Sequence, residues 1–366
     1  MLRSFRYLLL PFALIYGAII WLRNWLFNKR ILKSQTFNFP LICVGNLAIG
    51  GTGKTPMVEY LVRLLQNNYK TATLSRGYKR KTEGFAIADK NTTALDIGDE
   101  PMQFHQKFSN ITVAVGEERL TAIPQLLQEK PDTQVIILDD AFQHRTVKAG
   151  LNILLTEYDD LYTRDLMLPA GDLRDVKSSG KRADIIIITK CKSALSISER
   201  DSIKKEIRPT VHQNVFFTEI LYTNPYHLFS KDYTIITQDM SVLLVCGIAN
   251  PKPIKNYLTE RVHTYDMLRY RDHHIFDSDD LKDIKQQFEK LKSYKKIILT
   301  TEKDAVRLFK FESELKDYPI YVIPIKHSFM FNEGEQFNKI IINYITSFRQ
   351  KEFIESNNKK KETAFI

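Results

Sequence analysis

Residues 39–65 read FPLICVGNLAIGGTGKTPMVEYLVRLL, and their order decides the fold. Pro40–Val44 is a short apolar run closed by Gly45, as a buried parallel strand should be. From Thr55 to Leu65 the apolar residues Met57, Leu61, Val62 and Leu65 recur at a helical period. Between strand and helix lies GGTGKT. Gly50, Gly51 and Gly53, with Thr52 among them, let successive backbone N–H groups curl around phosphate oxygens at the positive end of the helix. Lys54 would reach the β- and γ-phosphates, and the Thr55 hydroxyl would hold Mg²⁺. The strict GxxxxGK[ST] pattern has a glycine where this chain has Ala48, so Gly50 and Gly51 must supply the flexibility. The spacing predicts a nucleotide-binding loop.

A second signature lies further along, QVIILDDAFQHR from Gln134 to Arg145. Four apolar residues end in Asp139 and Asp140, which puts carboxylates at the C-terminal tip of another buried strand, where an open α/β sheet binds its ligand. One of the pair would contact Mg²⁺, directly or through water. A GTPase is disfavoured. The DxxG switch would need a glycine where Phe142 or Gln143 stands, and a guanine-reading N/T-K-x-D would need an Asp where Lys192 stands. ATP is the expected nucleotide.

The 366 residues carry a formal net charge of +10, which raises the question of a nucleic-acid partner. The excess is local. Residues 1–40 hold Arg3, Arg6, Arg23, Lys29, Arg30 and Lys33 and no acidic residue, and these surround the uncharged run Tyr7–Leu22, YLLLPFALIYGAIIWL. As a helix this run spans roughly 24 Å, short of a hydrocarbon core of roughly 30 Å. An interfacial helix, a spanning or signal-anchor helix and a buried core helix all suit it. The interfacial one best fits the basic flanks and the Trp21–Trp25 pair. No nucleic-acid partner is expected. Three scattered cysteines, Cys43, Cys191 and Cys246, exclude a disulfide framework or a CxxC metal site and read as small buried hydrophobes.

Three more clusters bear on what accepts the phosphate. Ser75–Arg80, SRGYKR, puts cations at another strand tip; Gly98–Pro101, GDEP, is an acidic turn in which Pro101 could open a helix; Leu168–Arg174, LPAGDLR, is a loop able to close over polyphosphate. Read alone, each also fits a surface turn. Taken in order, GNLAIGGTGKTP (45–56), LSRGYKR (74–80), GDEP (98–101), VGEER (115–119), LDDAFQHR (138–145), LPAGDLR (168–174), CGIANP (246–251), RDHH (271–274) and TTEKDAVRL (300–308) resemble the tetraacyldisaccharide 4′-kinase family of Gram-negative bacteria. The resemblance runs from about residue 1 to about residue 345.

The resemblance implies transfer of the ATP γ-phosphate to the 4′-hydroxyl of a tetraacylated glucosamine disaccharide 1-phosphate, at the cytoplasmic face of the inner membrane. It implies that Asp99 is the base on the sugar hydroxyl, with His273 paired to it so as to raise its competence to take a proton. It carries Lys54 and Thr55 over as phosphate and Mg²⁺ ligands, and Asp139 and Asp140 as the acidic pair. Arg76, Arg119 and Arg174 look like cations facing ATP or the substrate phosphate, and Glu100 joins them as a candidate contact. Two positions depart from the family: Ala141, where Gly is usual, and Asp172, where Pro is usual. A membrane-docked P-loop ATPase of switch or partitioning type is the alternative, but it would have no use for Asp99 and His273.

Apolar runs at 41–44, 71–74, 111–115, 135–138, 152–155 and 185–188 alternate with helical stretches, which predicts a P-loop NTPase-like, doubly wound parallel sheet. The expected organisation is a membrane-interfacial helix over 1–30 and a P-loop kinase domain over 31–214. Extended linker strands over 215–237 would lead to a smaller α/β domain over 238–349 and a basic tail over 350–366.

Overall fold

The structure, a computed structural model, describes residues 6–363, and their side chains over 6–348. Arg3, the side chains of the expected basic tail, 350–366, and all of residues 364–366 lie outside the described residues; the backbone of 350–363 belongs to the helix Gly334–Thr363.

In chain order the strands are β1 Gln35–Thr36, β2 Leu41–Asn46, β3 Thr71–Ser75, β4 Ala86–Ile87, β5 Thr112–Val115, β6 Val135–Asp139, β7 Val147–Lys148 and β8 Leu151–Glu157. They continue as β9 Ile185–Thr189, β10 Asn214–Tyr222, β11 Tyr226–His227, β12 Ser241–Cys246, β13 Thr264–Arg269, β14 Lys296–Thr301, β15 Ile320–Ile323 and β16 Ile325–Phe329. Nine of them form one sheet in the order β16-β10-β9-β8-β2-β6-β3-β5-β4. Only β4 and β16, at its two edges, run antiparallel to their neighbours. The P-loop strand β2 sits near the middle, between β8 and β6.

Every residue of β2, β3, β6 and β9 is buried, because helices cover both faces of a parallel sheet and leave no polar face. Alternation then divides each strand between two cores. Leu41, Cys43, Leu138 and Ile186 enter one, and Ile42, Val44, Ile137 and Ile187 the other. The second sheet, β11-β15-β14-β12-β13, repeats this division on a smaller scale: Leu243, Val245 and Ile298 face one way, Val242, Leu244 and Leu299 the other. The doubly wound sheet and the smaller α/β unit are both present. All three cysteines are buried, as their apolar settings require.

The expected boundaries need correcting at two places. Residues 214–222 are not a linker strand but β10, paired in parallel with β9 and antiparallel with β16. The chain also returns from the smaller sheet: β16 joins the large sheet, and Phe337, Ile341 and Ile345 of the C-terminal helix enter its core. The apolar residues Phe216 and Phe217 drive the first change, since both are fully buried in the large sheet. The smaller unit is therefore an insertion between β10 and β16, held to the large sheet at both ends.

The N-terminal apolar run is a 3₁₀ turn, Tyr7–Leu9, leading into the helix Leu10–Asn28. Ala13, Asn24 and Phe27 are buried against the large domain, while Leu8, Phe12, Leu14, Ile15, Ile19 and Trp21 are exposed.

Candidate active site

The loop after β2 has the conformation its glycines imply. Gly50 and Gly53 hold φ of +112° and +85°, in the region L side chains avoid, and Lys54 opens the helix Lys54–Leu65 immediately after. Ala48 needs no such freedom. It forms an antiparallel bridge with Leu173, and Ile49 N donates to Asp172 O at 2.8 Å, so LPAGDLR is zipped to the first half of the loop. The second half is pinned from beneath. Thr189 Oγ1 donates to Thr52 O at 2.9 Å, and His327 Nε2 lies 2.9 Å from Gly53 O. His327 is buried on β16, its other ring nitrogen 2.9 Å from Thr218 Oγ1, and burial pushes its pKa down to about 4. A neutral imidazole that donates to the Gly53 carbonyl fixes that peptide, and with it the direction of the neighbouring amides.

Lys54, Asn46, Asp140 and Arg174 form one cluster above this loop. Lys54 Nζ lies 3.3 Å from Asn46 Oδ1 and 3.8 Å from Asp140 Oδ1. Arg174 grips both carboxylate oxygens of Asp140 and donates to Asn46 Oδ1 at 2.6 Å. Burial pushes the Asp140 carboxyl upward, but Lys54 and Arg174 outweigh it, and the net shift is downward. Asp139 is different. Burial, reinforced by Asp140, pushes it up to about 7. One oxygen accepts from Ser75 Oγ at 3.3 Å, while Oδ1 is buried with no partner. A buried, unpaired carboxylate oxygen beside a second carboxylate is a donor set suited to a hard divalent cation, and Thr55 in the first helical turn can complete it.

The second cluster is assembled from distant segments. Asp99 opens the helix Asp99–Lys107 behind Gly98, whose φ of +92° and close approach to Tyr78 O leave no room for a Cβ. His273 Nδ1 lies 3.0 Å from Asp99 Oδ2. Arg307, on the helix Glu302–Leu308, donates from Nε to Asp99 Oδ1 at 3.2 Å and from Nη2 to Oδ2. Lys303, one turn earlier on that helix, brings Nζ to 3.3 Å from His273 Nε2 and 3.4 Å from Glu100 Oε1. Lys303 can only donate, and so can Arg307, whose Nη2 lies 2.9 Å from His273 Nδ1, so both ring nitrogens face cationic donors beside Asp99. Burial pushes the Asp99 carboxyl upward, yet hydrogen bonds from His273 and Arg307 hold it down to about 2. The pairing thus lowers the proton affinity of Asp99, because both neighbours favour the charged carboxylate.

These two clusters have a common frame. Lys107 Nζ is held between Glu59 Oε2, at 2.5 Å on the P-loop helix, and Glu302 of the inserted unit. Gln103 Nε2 and Arg63 Nη2 complete Glu59 at 2.8 Å and 2.7 Å. Burial and the nearby Glu59 push the Glu302 carboxyl up, against Lys107. Three helices, one behind each part of the site, meet at this buried charge node.

A family profile described as Tetraacyldisaccharide-1-P 4′-kinase matches residues 5–346. The chain belongs to this family. Tetraacyldisaccharide 4′-kinases of Flavobacterium johnsoniae and Bacteroides thetaiotaomicron are 48% and 43% identical to it, over 93% and 96% of this chain and 97% and 96% of their own. The LpxK structure from Aquifex aeolicus, in complex with ATP, matches with a TM-score of 0.74 at 28% identity, covering 94% of this chain and all of that one.

Within this kinase family fold, the residues named from sequence fall into three groups. Gly50, Gly51, Thr52, Gly53, Lys54, Thr55, Asp139, Asp140 and Arg174 gather at the P-loop, and Asp99, Glu100 and His273 gather at the second cluster. Arg76 stands exposed at the tip of β3. Arg119 does not offer its fork to a phosphate. It is fully buried, and its guanidinium is turned to the carbonyls of Gly116, Glu117 and Asp139. The reason is its place at the start of a helix, beneath the tip of β6. Sequence reasoning missed Arg307, Lys303 and Glu302, although TTEKDAVRL contains all three, with Lys303 and Arg307 at i, i+4 helical spacing. It also missed His327, which no local pattern marks.

Proposed function

We propose that the P-loop amides and Lys54 hold the ATP phosphates, that Thr55, Asp139 and Asp140 hold Mg²⁺, and that Asp99 and His273 receive the acceptor hydroxyl. The chain is a lipid A 4′-kinase of the family just described, moving the γ-phosphate of ATP to the 4′-hydroxyl of a tetraacylated glucosamine disaccharide 1-phosphate. The ATP in the Aquifex aeolicus relative supports the nucleotide. One observation carries the assignment of roles. Ser75 at the tip of β3 donates to Asp139, and Tyr78, three residues on, packs edge-on against the His273 ring at 6.1 Å, so the acceptor cluster and the phosphate cluster are near neighbours.

The transition state of phosphoryl transfer is loose, and the attacking hydroxyl keeps its proton until late. A carboxylate held ionised at about 2 suits that chemistry. Asp99 accepts the hydroxyl hydrogen bond and aims the hydroxyl oxygen's lone pair at the γ-phosphorus; it takes the proton only as the new P–O bond forms, while the bond to the β,γ-bridging oxygen breaks and ADP leaves. His273 and Arg307 hold the carboxylate in place, and Lys54 and Arg174 face the charge on the transferring group. Thr55, Asp139 and Asp140 would hold Mg²⁺, which would supply positive charge against the phosphates.

The exposed apolar face and basic flanks of the N-terminal helix support an interfacial position on the cytoplasmic leaflet, where ATP and an anionic glycolipid meet. A spanning helix would have to shed bonds to the domain that run from Arg6 to Asn28. The decisive assay supplies Mg-ATP and the detergent-dispersed disaccharide 1-phosphate. A bis-phosphorylated lipid is expected; no product from protein that demonstrably binds ATP would overturn the reading.

A further inference from the structure

We infer that Tyr16 and Asn24 of the N-terminal helix are positioning residues for Arg174, so that the helix is a brace of the phosphate site as well as a membrane anchor. The helix has two faces with different chemistry. Its exposed face is apolar, as membrane binding requires. Its inward face carries a hydroxyl and a carboxamide that membrane binding does not use, and Asn24 is only 6% exposed.

Those two groups reach the segment that carries Arg174. Tyr16 Oη donates to Arg174 O at 3.1 Å. Asn24 Nδ2 donates to Asp175 Oδ1 at 2.7 Å and lies 3.2 Å from Ser179 Oγ. Asp175 is itself buried and is held from the far side by Arg182 at 2.7 Å. At the other end of the same loop, Arg6 pairs with Asp172 at 2.8 Å, which gives this departure from the family's usual Pro a partner. On the P-loop side, Arg174 N donates to Leu47 O at 2.8 Å, and its guanidinium grips Asp140 and Asn46. Asn46 in turn donates to Thr52 Oγ1 at 3.0 Å.

The backbone of Arg174 is thus fixed on both sides: its carbonyl by the N-terminal helix, its N–H by the P-loop. A bidentate arginine is effective only when its stem is held, because an unrestrained side chain loses rotamer entropy each time it docks. Removing Asn24 takes the N-terminal helix's donor from the buried Asp175 carboxylate, which keeps Val176 N, Ser179 Oγ and Arg182, and so cuts the helix's hold on the residue next to Arg174. Seating of the helix and geometry of the phosphate site are joined by one continuous hydrogen-bonded path.

The inference rests on Arg174 acting at the phosphate site, and a double-mutant cycle separates the two ideas. Tyr16→Phe, Asn24→Ala, Arg174→Ala and the combined variants are assayed in detergent with saturating lipid, alongside vesicle co-sedimentation and thermal midpoints. Asn24→Ala is expected to lower kcat about tenfold and Tyr16→Phe about threefold, with lipid KM and vesicle binding unchanged. In the Arg174→Ala background each should cost less than about twofold. Additive losses, or losses confined to vesicle binding and lipid KM, would overturn the brace while leaving Arg174 in its role. An inert Arg174→Ala would overturn both. Tyr16→Phe, which deletes one hydroxyl, keeps the cycle readable should Asn24→Ala prove unstable.

Discussion

Asp139 closes a central strand and Asp99 opens a helix; both are largely shielded from water, and the fold drives them in opposite directions. Burial and the adjacent Asp140 push Asp139 up to about 7, and one of its oxygens has no partner. Asp99 is held down to about 2 by His273 and Arg307, which offset its burial. The protein supplies the countercharge for one carboxylate and leaves the other waiting for a cation from outside. In the mechanism proposed above, that difference separates a metal pole under the nucleotide from a self-neutralised pole under the acceptor.

The comparison can be broken by experiment. Lys54→Ala should lower the transfer rate about a thousandfold, since it removes the phosphate-loop cation that stands beside Asp140. A loss below tenfold would take Lys54 out of the phosphate pole. Lys107→Met strips the frame shared by both poles and leaves Glu302 buried without its cation, with Arg63 left as the cation on Glu59. It should cost about 3 kcal/mol of stability in urea unfolding; a neutral result would mean the node contributes no alignment. Asp99→Ala should cut kcat at least about a hundredfold with ATP affinity little changed. Equal loss in both would move Asp99 to the nucleotide pole.

The smallest effect concerns acid stability. The Asp99 carboxyl lies at about 2 when folded, below its ordinary 3.8. Its stabilisation is complete above about pH 4 and is lost as pH falls through 2, a contribution of about 2 kcal/mol. Asp99→Asn, which cannot titrate, should show a shallower fall in unfolding free energy across that window. Identical slopes would show that His273 and Arg307 do not hold the carboxylate down in solution.

Much of the phosphate pole was legible because its parts are contiguous. Residues 45–56 carry strand, glycines, Lys54 and Thr55 in one run, and the apolar run into Asp139–Asp140 repeats the logic one strand over. Ala48 is the exception, explained only by its extended pairing with the distant Leu173, which demands no glycine. The acceptor pole was legible only by resemblance. Asp99, His273 and Arg307 are brought together across 174 and 208 positions of chain, and no spacing rule spans such distances. Arg119 was misjudged because a cation in a motif looks the same whether it faces a phosphate or caps a strand beneath it.

By itself, then, the sequence determined the elements that local periodicity and glycine placement dictate: the central strands, the phosphate loop, the acidic strand tip and an apolar, basic-flanked N-terminal helix. Only the tertiary structure decided that β10 and β16 close the large sheet around an inserted unit. It alone placed His327 beneath Gly53, fixed Asp99 between His273 and Arg307, and laid Tyr16 and Asn24 against the Arg174 loop. The reason is physical. Backbone conformation answers to neighbours in the chain, whereas burial, charge pairing and the resulting proton affinities answer to neighbours in space.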